Sequence, residues 1–341
     1  FSSLKVSEIS VKYFLIAIIS SLFFLYSLNL IYSLFGTLNF MKIKLFLYVN
    51  YQHIVFRLFF ALLLLIVSFF FKLGIVPFHV WVVEVYSGVS LSTFFFLSIF
   101  SKYIFFILFF KLFISFFFIF INYYAYIFYI NGILCIIVGV FGAILHDNLF
   151  KILAYGSIAH SGFLLLACVQ LTEFSFFSFL NYLCGYCILM LYFCFILFLL
   201  KNIDNSISNL TDLIKLKNSS IFFTLSFLFL FLSMAGLPPF LGFFLKYFVL
   251  VTVYTYEQMN FSWFLILILI VNLIGIYIYL RFAVFLYFGP HYVQILKIKE
   301  YKSLYISLWG FFILNLYSLF YMNLLYKYSG VFYVVTGINY I

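Results

Sequence analysis

The sequence predicts an all-α polytopic membrane protein: about nine transmembrane helices arranged as an inverted-repeat bundle, two of them discontinuous. Three observations predict it. Of 341 residues 68% are apolar and only 8% charged, whereas soluble domains run at roughly 45–50% and about 25%. So few charges cannot cover a globule, and only lipid tolerates the greasy surface that results. Apolar stretches long enough to cross a bilayer core, about 20 residues each, recur along the chain, and two are interrupted by glycine and proline in the same arrangement. This composition excludes an intrinsically disordered chain, a collagen or coiled-coil rod and, with five Cys, a secreted disulfide scaffold.

Spans are expected at 11–35, 55–86, 91–116, 126–146, 149–170, 176–200, 220–254, 261–288 and 303–328, with polar breaks such as 201–217 and 291–302 between them. The first is read as a full-length span, since a basic N-terminal stretch leads directly into it without a cleavable signal. The second is too long for a straight crossing and breaks at Gly74-Ile75-Val76-Pro77-Phe78, because Pro77 cannot donate to the Leu73 carbonyl. The seventh breaks in the same way at Gly236-Leu237-Pro238-Pro239-Phe240, where Pro239 withholds a donor from Ala235. Freed backbone groups at membrane depth are tolerated only against protein or water. Paired interruptions in corresponding positions point to an inverted-repeat transporter with its site at the breaks; two ordinary proline kinks are the alternative. On the first reading, 126–288 is a complete five-helix repeat with its broken helix in fourth place. Residues 1–116 hold the last three helices of an equivalent repeat whose first two are absent from this sequence, and 303–341 form a C-terminal helix and tail.

The net charge of +10 would point to nucleic acid in a soluble chain, but the loops explain it. Those after even-numbered spans carry Lys151, Lys201, Lys215, Lys217, Lys297, Lys299 and Lys302, against mainly Lys42, Lys44 and Lys111 on the other side, with Arg57 at a span edge. The heavier side is expected to face the matrix or cytoplasm, together with residue 1. The 56 Phe and 30 Tyr, with abundant Ile, Leu, Asn and Lys, resemble the product of a very AT-rich organelle genome.

Lysine near a bilayer midplane costs roughly 2.5–3.5 kcal/mol, so it lines a pathway or has a partner. Lys72 lies just before the first break, Lys102 within the third span and Lys246 beyond the second break. Each is a candidate for a proton relay, because a desolvated amine releases its proton more readily than one in water; structural pairing or snorkelling is the other reading. Lys111, Arg281 and Lys327 near span ends are expected to snorkel. His79 and His160 are each either a relay imidazole or a hydrogen-bonded packing residue. Cys184 and Cys187 form a CxxC without a second pair or a nearby histidine, so helix packing is expected and not metal or redox chemistry. No nucleotide loop, cofactor fingerprint or nucleophile arrangement is present.

Phe71-Lys72-Leu73-Gly74-Ile75-Val76-Pro77-Phe78-His79-Val80-Trp81, followed by Glu84-Val85-Tyr86-Ser87-Gly88, resembles the broken-helix signature of the antiporter-like subunits of respiratory complex I. So do Ser101-Lys102, the run from Leu149 through Lys151 and Gly156 to His160 and Gly162, and the run from Leu232 through Gly236, Pro238 and Pro239 to Lys246. With Lys12-Tyr13-Phe14-Leu15 entering the first span, the collinear set is most similar to the subunit 2 family of NADH:ubiquinone oxidoreductase. The resemblance implies a fourteen-helix fold of which this chain supplies the sixth to fourteenth helices. Lys72 then looks like the partner of a fifth-helix channel glutamate that precedes residue 1, Lys102 like a bridging lysine, and Lys246 like the terminal lysine. His79 and His160 fall on recurrent family histidines. Glu8 aligns near the start of the sixth helix and does not replace the missing glutamate. Val83-Glu84 stands where the family usually has Pro-Asp, which keeps the carboxylate and loses a loop proline.

The implied function is proton translocation across the inner mitochondrial membrane, coupled to NADH-to-ubiquinone electron transfer. The implied setting has no cofactor in this chain, with FMN, iron–sulfur clusters and ubiquinone elsewhere in the complex. The implied partners are the other membrane-arm subunits, lipids, and a separate chain supplying the missing N-terminal helices and the glutamate. A non-conducting scaffold of the membrane arm and a subunit of a multi-chain cation/proton antiporter are the alternatives.

Overall fold

In lipid a backbone without internal hydrogen bonds has no substitute partner, so apolar runs of this length must be helical. The chain forms α1 (Ser2–Phe35), α2 (Phe40–Val49), α3 (Val55–Leu73), α4 (Val80–Gly88), α5 (Leu91–Phe95), α6 (Ser101–Phe116), α7 (Ile121–Ile144), α8 (Leu149–Ala167), α9 (Glu173–Ile203), α10 (Ile221–Ala235), α11 (Leu241–Tyr254) and α12 (Ser262–Phe288). A π-helical turn, Phe96–Phe100, joins α5 to α6 into one continuous rod. The computed structural model describes residues 2–49, 55–116, 120–170, 172–203, 209–210, 221–255, 262–288 and 310. Among them seven helices are long and apolar enough to cross a membrane. The shorter apolar helices α10 and α11 together make up the seventh expected span. The ninth, 303–328, lies outside the described residues apart from Gly310, as do Lys215, Lys217, Lys297, Lys299, Lys302 and Lys327.

Two local expectations need correction. The segment carrying Lys42 and Lys44, read as a loop, is the ten-residue helix α2, whose Ile43 and Leu47 are buried where it packs on α6. The two lysines interrupt an otherwise apolar run and hide its periodicity. The third span is not α-helical throughout, since the π turn falls immediately before Ser101 and Lys102.

Both expected breaks are present, and their backbones match. Gly74 and Gly236 take positive φ of 67° and 82°, a region costly for any residue with a Cβ. The next amide in each case reaches back five residues, Ile75 to the Phe70 carbonyl at 3.0 Å and Leu237 to the Leu232 carbonyl at 3.3 Å. That is the Schellman way of ending a helix. Three residues further on, Phe78 donates to Ile75 at 2.7 Å and Phe240 to Leu237 at 3.0 Å, across the cis bonds Val76-Pro77 and Pro238-Pro239. The surplus polar groups find partners. Val76 donates to Cys135 Sγ on α7 at 3.2 Å, and Trp81 Nε1 donates to the freed Phe71 carbonyl at 3.1 Å.

The tightest pair of helices is α7 with α8. A Cβ on Gly139 would stand 2.7 Å from the Tyr155 carbonyl oxygen, and one on Gly132 3.1 Å from that of Gly162. Small residues are what permit such approach when lipid offers no hydrophobic drive between helices. Around this pair, α4, α9 and α11 pack on α8, and α12 packs on α7 and α10. On the other side α1 lies against α3 and α4 and keeps most of its apolar surface exposed. Arg281, expected to snorkel, is instead only 19% exposed and closes the α7–α8 corner, donating to the Ile144 carbonyl at 3.0 Å and pairing with Asp147 at 2.5 Å.

Candidate functional site

Lys102 is 3% exposed. Its ammonium donates to the Ser157 carbonyl of α8 at 2.5 Å and lies 5.9 Å from the ring centroid of Tyr186 on α9. The Tyr186 ring is in turn 5.2 Å from that of His160, and His160 Nδ1 is 2.8 Å from the Tyr182 hydroxyl, one turn earlier on α9. His160 is 8% exposed. Lys102, Tyr186, His160 and Tyr182 therefore form one buried polar group between α6, α8 and α9.

The group opens on its far side into a cavity of about 30 Å³ lined by His160, Lys246, Asn272, Tyr279 and the small residues Gly139, Gly156 and Gly275 among others. A volume of that size, with several polar partners, holds one or two water molecules. Lys246 enters from α11 and folds back, its Nζ 2.9 Å from the carbonyl oxygen of Ala235, the last residue of α10. An ammonium at a helix C-terminus satisfies an orphan carbonyl and lies at the negative end of the helix dipole. The second break thus supplies Lys246 with its acceptor.

Of the five expected relay residues the structure brings three together: Lys102, His160 and Lys246. Lys72 faces the opposite way, its ammonium 4.7 Å from the Phe24 ring of α1 and 5.1 Å from the Phe105 ring of α6. Among the described residues it makes no hydrogen bond or ion pair. His79 caps α4 beyond the first break, and its Nδ1 is buried without a hydrogen-bond partner among the described residues. The helix does not persist from Lys72 to His79, so the two residues share no helix face. Glu8 and Glu84 both bind Lys12, at 2.7 and 2.9 Å, and all three side chains are 44–63% exposed.

Tyr182, Tyr186 and Cys135 were not singled out by the sequence. In a chain with 30 tyrosines the only available signal was the i, i+4 pair Tyr182 and Tyr186, which falls on one helix face. Among the described residues no group of three or more His, Cys, Asp or Glu side chains could hold a metal ion. Cys184 and Cys187 are partly buried free thiols.

A family model described as NADH:quinone oxidoreductase/Mrp antiporter, transmembrane, matches residues 1–275, from the first helix through most of α12. The chain belongs to this family. Among curated relatives it is 30% identical over 254 residues to NADH-quinone oxidoreductase subunit N of Ruthia magnifica, covering 71% of this chain and 51% of that protein. It is 31% identical over 286 residues to subunit N of Thioalkalivibrio sulfidiphilus, covering 84% and 59%. The chain thus spans little more than half the length of these relatives. Respiratory complex I from Thermus thermophilus contains a chain with TM-score 0.70 and 24% identity, covering 93% of this chain and 68% of that one. The Mrp complex of Dietzia sp. gives 0.80 and 16%, covering 95% and 67%. The fold is the all-helical, antiporter-like one of the NADH:quinone oxidoreductase/Mrp family, and the buried group around Lys102 and His160 lies wholly inside the matched region.

Proposed function

We propose that this chain is the proton-translocating, antiporter-like subunit 2 of respiratory complex I, contributing helices six to fourteen of the family fold as the second half of an inverted-repeat pair. In this reading 1–116 completes the first repeat with helices from a separate chain, 126–288 is the second repeat, and 303–341 is the C-terminal helix and tail. Protons pass along the row Lys102, His160 and Lys246 when quinone reduction elsewhere in the complex changes the charge of a neighbouring group, with FMN, iron–sulfur clusters and ubiquinone held by other subunits.

The observation that carries the reading is the cavity shared by His160 and Lys246, with the buried Lys102 and His160 both packed against the Tyr186 ring. An imidazole and an amine sharing space for one or two waters are what stepwise proton transfer needs, and burying such groups in a hydrocarbon interior is costly. Lys72, cushioned on two aromatic rings without an oxygen acceptor from the described residues, supports a carboxylate arriving from outside those residues. The phenylalanine-rich composition supports an organelle-encoded subunit of the mitochondrial inner membrane.

The test is a Lys102→Ala complex in sealed vesicles. A lower proton-to-electron ratio with normal assembly is expected; an unchanged ratio removes the relay. One observation favours the scaffold reading: Phe105 stands beside Lys72, and among the described residues Lys72 makes no hydrogen bond toward Lys102. The cation/proton antiporter reading draws on the Mrp fold match, and co-purification of the chain with flavin and iron–sulfur subunits decides against it.

A further inference from the structure

The rod that carries Lys102 changes winding just before it. The Ser101 amide donates to the Phe96 carbonyl, five residues back, which defines a π turn over Phe96–Phe100. Such a turn accommodates one extra residue at the expense of regular pairing, and isolated π turns inside α-helices concentrate at functional sites. Its carbonyls here are claimed from outside. Tyr86, on the half-helix beyond the first break, donates its hydroxyl to the Leu97 carbonyl at 2.9 Å. Tyr186, on α9, donates to the Ser98 carbonyl at 3.0 Å. The Ser101 hydroxyl also donates to Leu97. Both tyrosines are 2% exposed, so a hydroxyl without these acceptors would have no water to turn to. The Tyr86 ring is fixed by an edge-on contact with Phe94 at 5.2 Å, and the Tyr186 ring lies between Lys102 and His160.

We propose that Tyr86 and Tyr186 are positioning residues that hold this turn in π register and thereby set the direction in which Lys102 points. Loss of the extra residue from the winding rotates everything after it by about 100° about the helix axis. That rotation carries the Lys102 ammonium away from the Ser157 carbonyl and from the Tyr186 ring. One tyrosine belongs to the first broken helix and the other to α9, whose Tyr182 bonds His160, so the register of the turn, and with it the lysine, answers to both elements. The geometric part is independent of the relay; its consequence for proton movement rests on the function proposed above.

The experiment is an electron cryo-microscopy map of the assembled complex carrying Tyr86→Phe, Tyr186→Phe or both, with proton-to-electron ratios measured on the same preparations in sealed vesicles. Phenylalanine keeps each ring and removes only the hydroxyl. Expected are loss of the Lys102–Ser157 hydrogen bond in at least one single variant, an α-helical 96–100 segment in the double variant, and a lower proton-to-electron ratio wherever the lysine has moved. A π turn retained with Lys102 still on Ser157 in both single variants overturns the proposal, whether or not the double variant assembles. A lysine that moves while the ratio stays at the parental value leaves the positioning role standing and removes the relay.

Discussion

The Lys246 ammonium and the Ala235 carbonyl, 2.9 Å apart, join the two halves of the second broken helix. The pairing ties a candidate relay group to the backbone defect beside it, so that changing one changes the other. Replacing Lys246 with methionine keeps the bulk of the stem and leaves the carbonyl without its donor, at a cost of about 1–3 kcal/mol. Lys246→Met is expected to lower both the melting temperature of the assembled complex and its proton-to-electron ratio. Lys246→Arg, which can still reach a carbonyl but holds its proton permanently, is expected to recover stability without recovering the ratio. Recovery of both by arginine contradicts a role for Lys246 as a proton carrier.

Three glycines with positive φ form a graded series. Gly36 has φ 66° and open space within 4 Å, so Gly36→Ala meets only the backbone penalty of the left-handed region, about 1–2 kcal/mol. Gly236→Ala adds a contact 3.0 Å from Cδ of the flexible Lys246 side chain, which must shift. Gly74→Ala drives its Cβ into Val82 Cγ2, on a β-branched side chain with little freedom to yield. Thermal unfolding should therefore rank Gly36→Ala mildest and Gly74→Ala most damaging. The middle variant alone should also change proton movement, since it displaces Lys246.

These glycines mark the boundary of what sequence could reveal. Both breaks were legible because glycine and proline impose backbone geometry locally, and Lys102, Lys246 and His160 because polar groups in an apolar run stand out. Tyr186 and Cys135 were not, because their roles depend on which carbonyl or amide another helix presents to them. The α2 helix and the π turn escaped for a related reason: neither has a punctuating residue, and both are decided by packing. Arg281 was read as snorkelling because its partners, Asp147 and the Ile144 carbonyl, lie 134 and 137 residues away in sequence.

Not every ion pair in the structure matters equally. Lys12 bonds both Glu8 and Glu84, yet all three side chains remain 44–63% exposed, and exposed pairs are worth about 0–1 kcal/mol. Glu84→Gln is expected to leave the melting temperature within a degree or two of the parent, with any residual effect fading as salt is raised. A large, salt-independent loss would mean that Glu84 has a second partner within the assembled complex.

The sharpest check on the relay is a substitution that adds atoms and breaks no contact. Gly275 lines the cavity between His160 and Lys246, and a Cβ there would lie 3.4 Å from Val140 Cγ2, an ordinary contact. Alanine is also the better helix former by about 0.5–1 kcal/mol. Gly275→Ala should consequently raise the melting temperature slightly. Its methyl takes up part of a space of about 30 Å³, which has room for only one or two water molecules. With less room for water, the imidazole and the amine lose the mobile hydrogen-bonding molecule that would link them across the cavity. The proton-to-electron ratio should then fall in a protein that is more stable than its parent. A destabilised variant would have lost protons through poor folding; a stabilised one with an unchanged ratio would show that protons do not travel between His160 and Lys246 through this cavity.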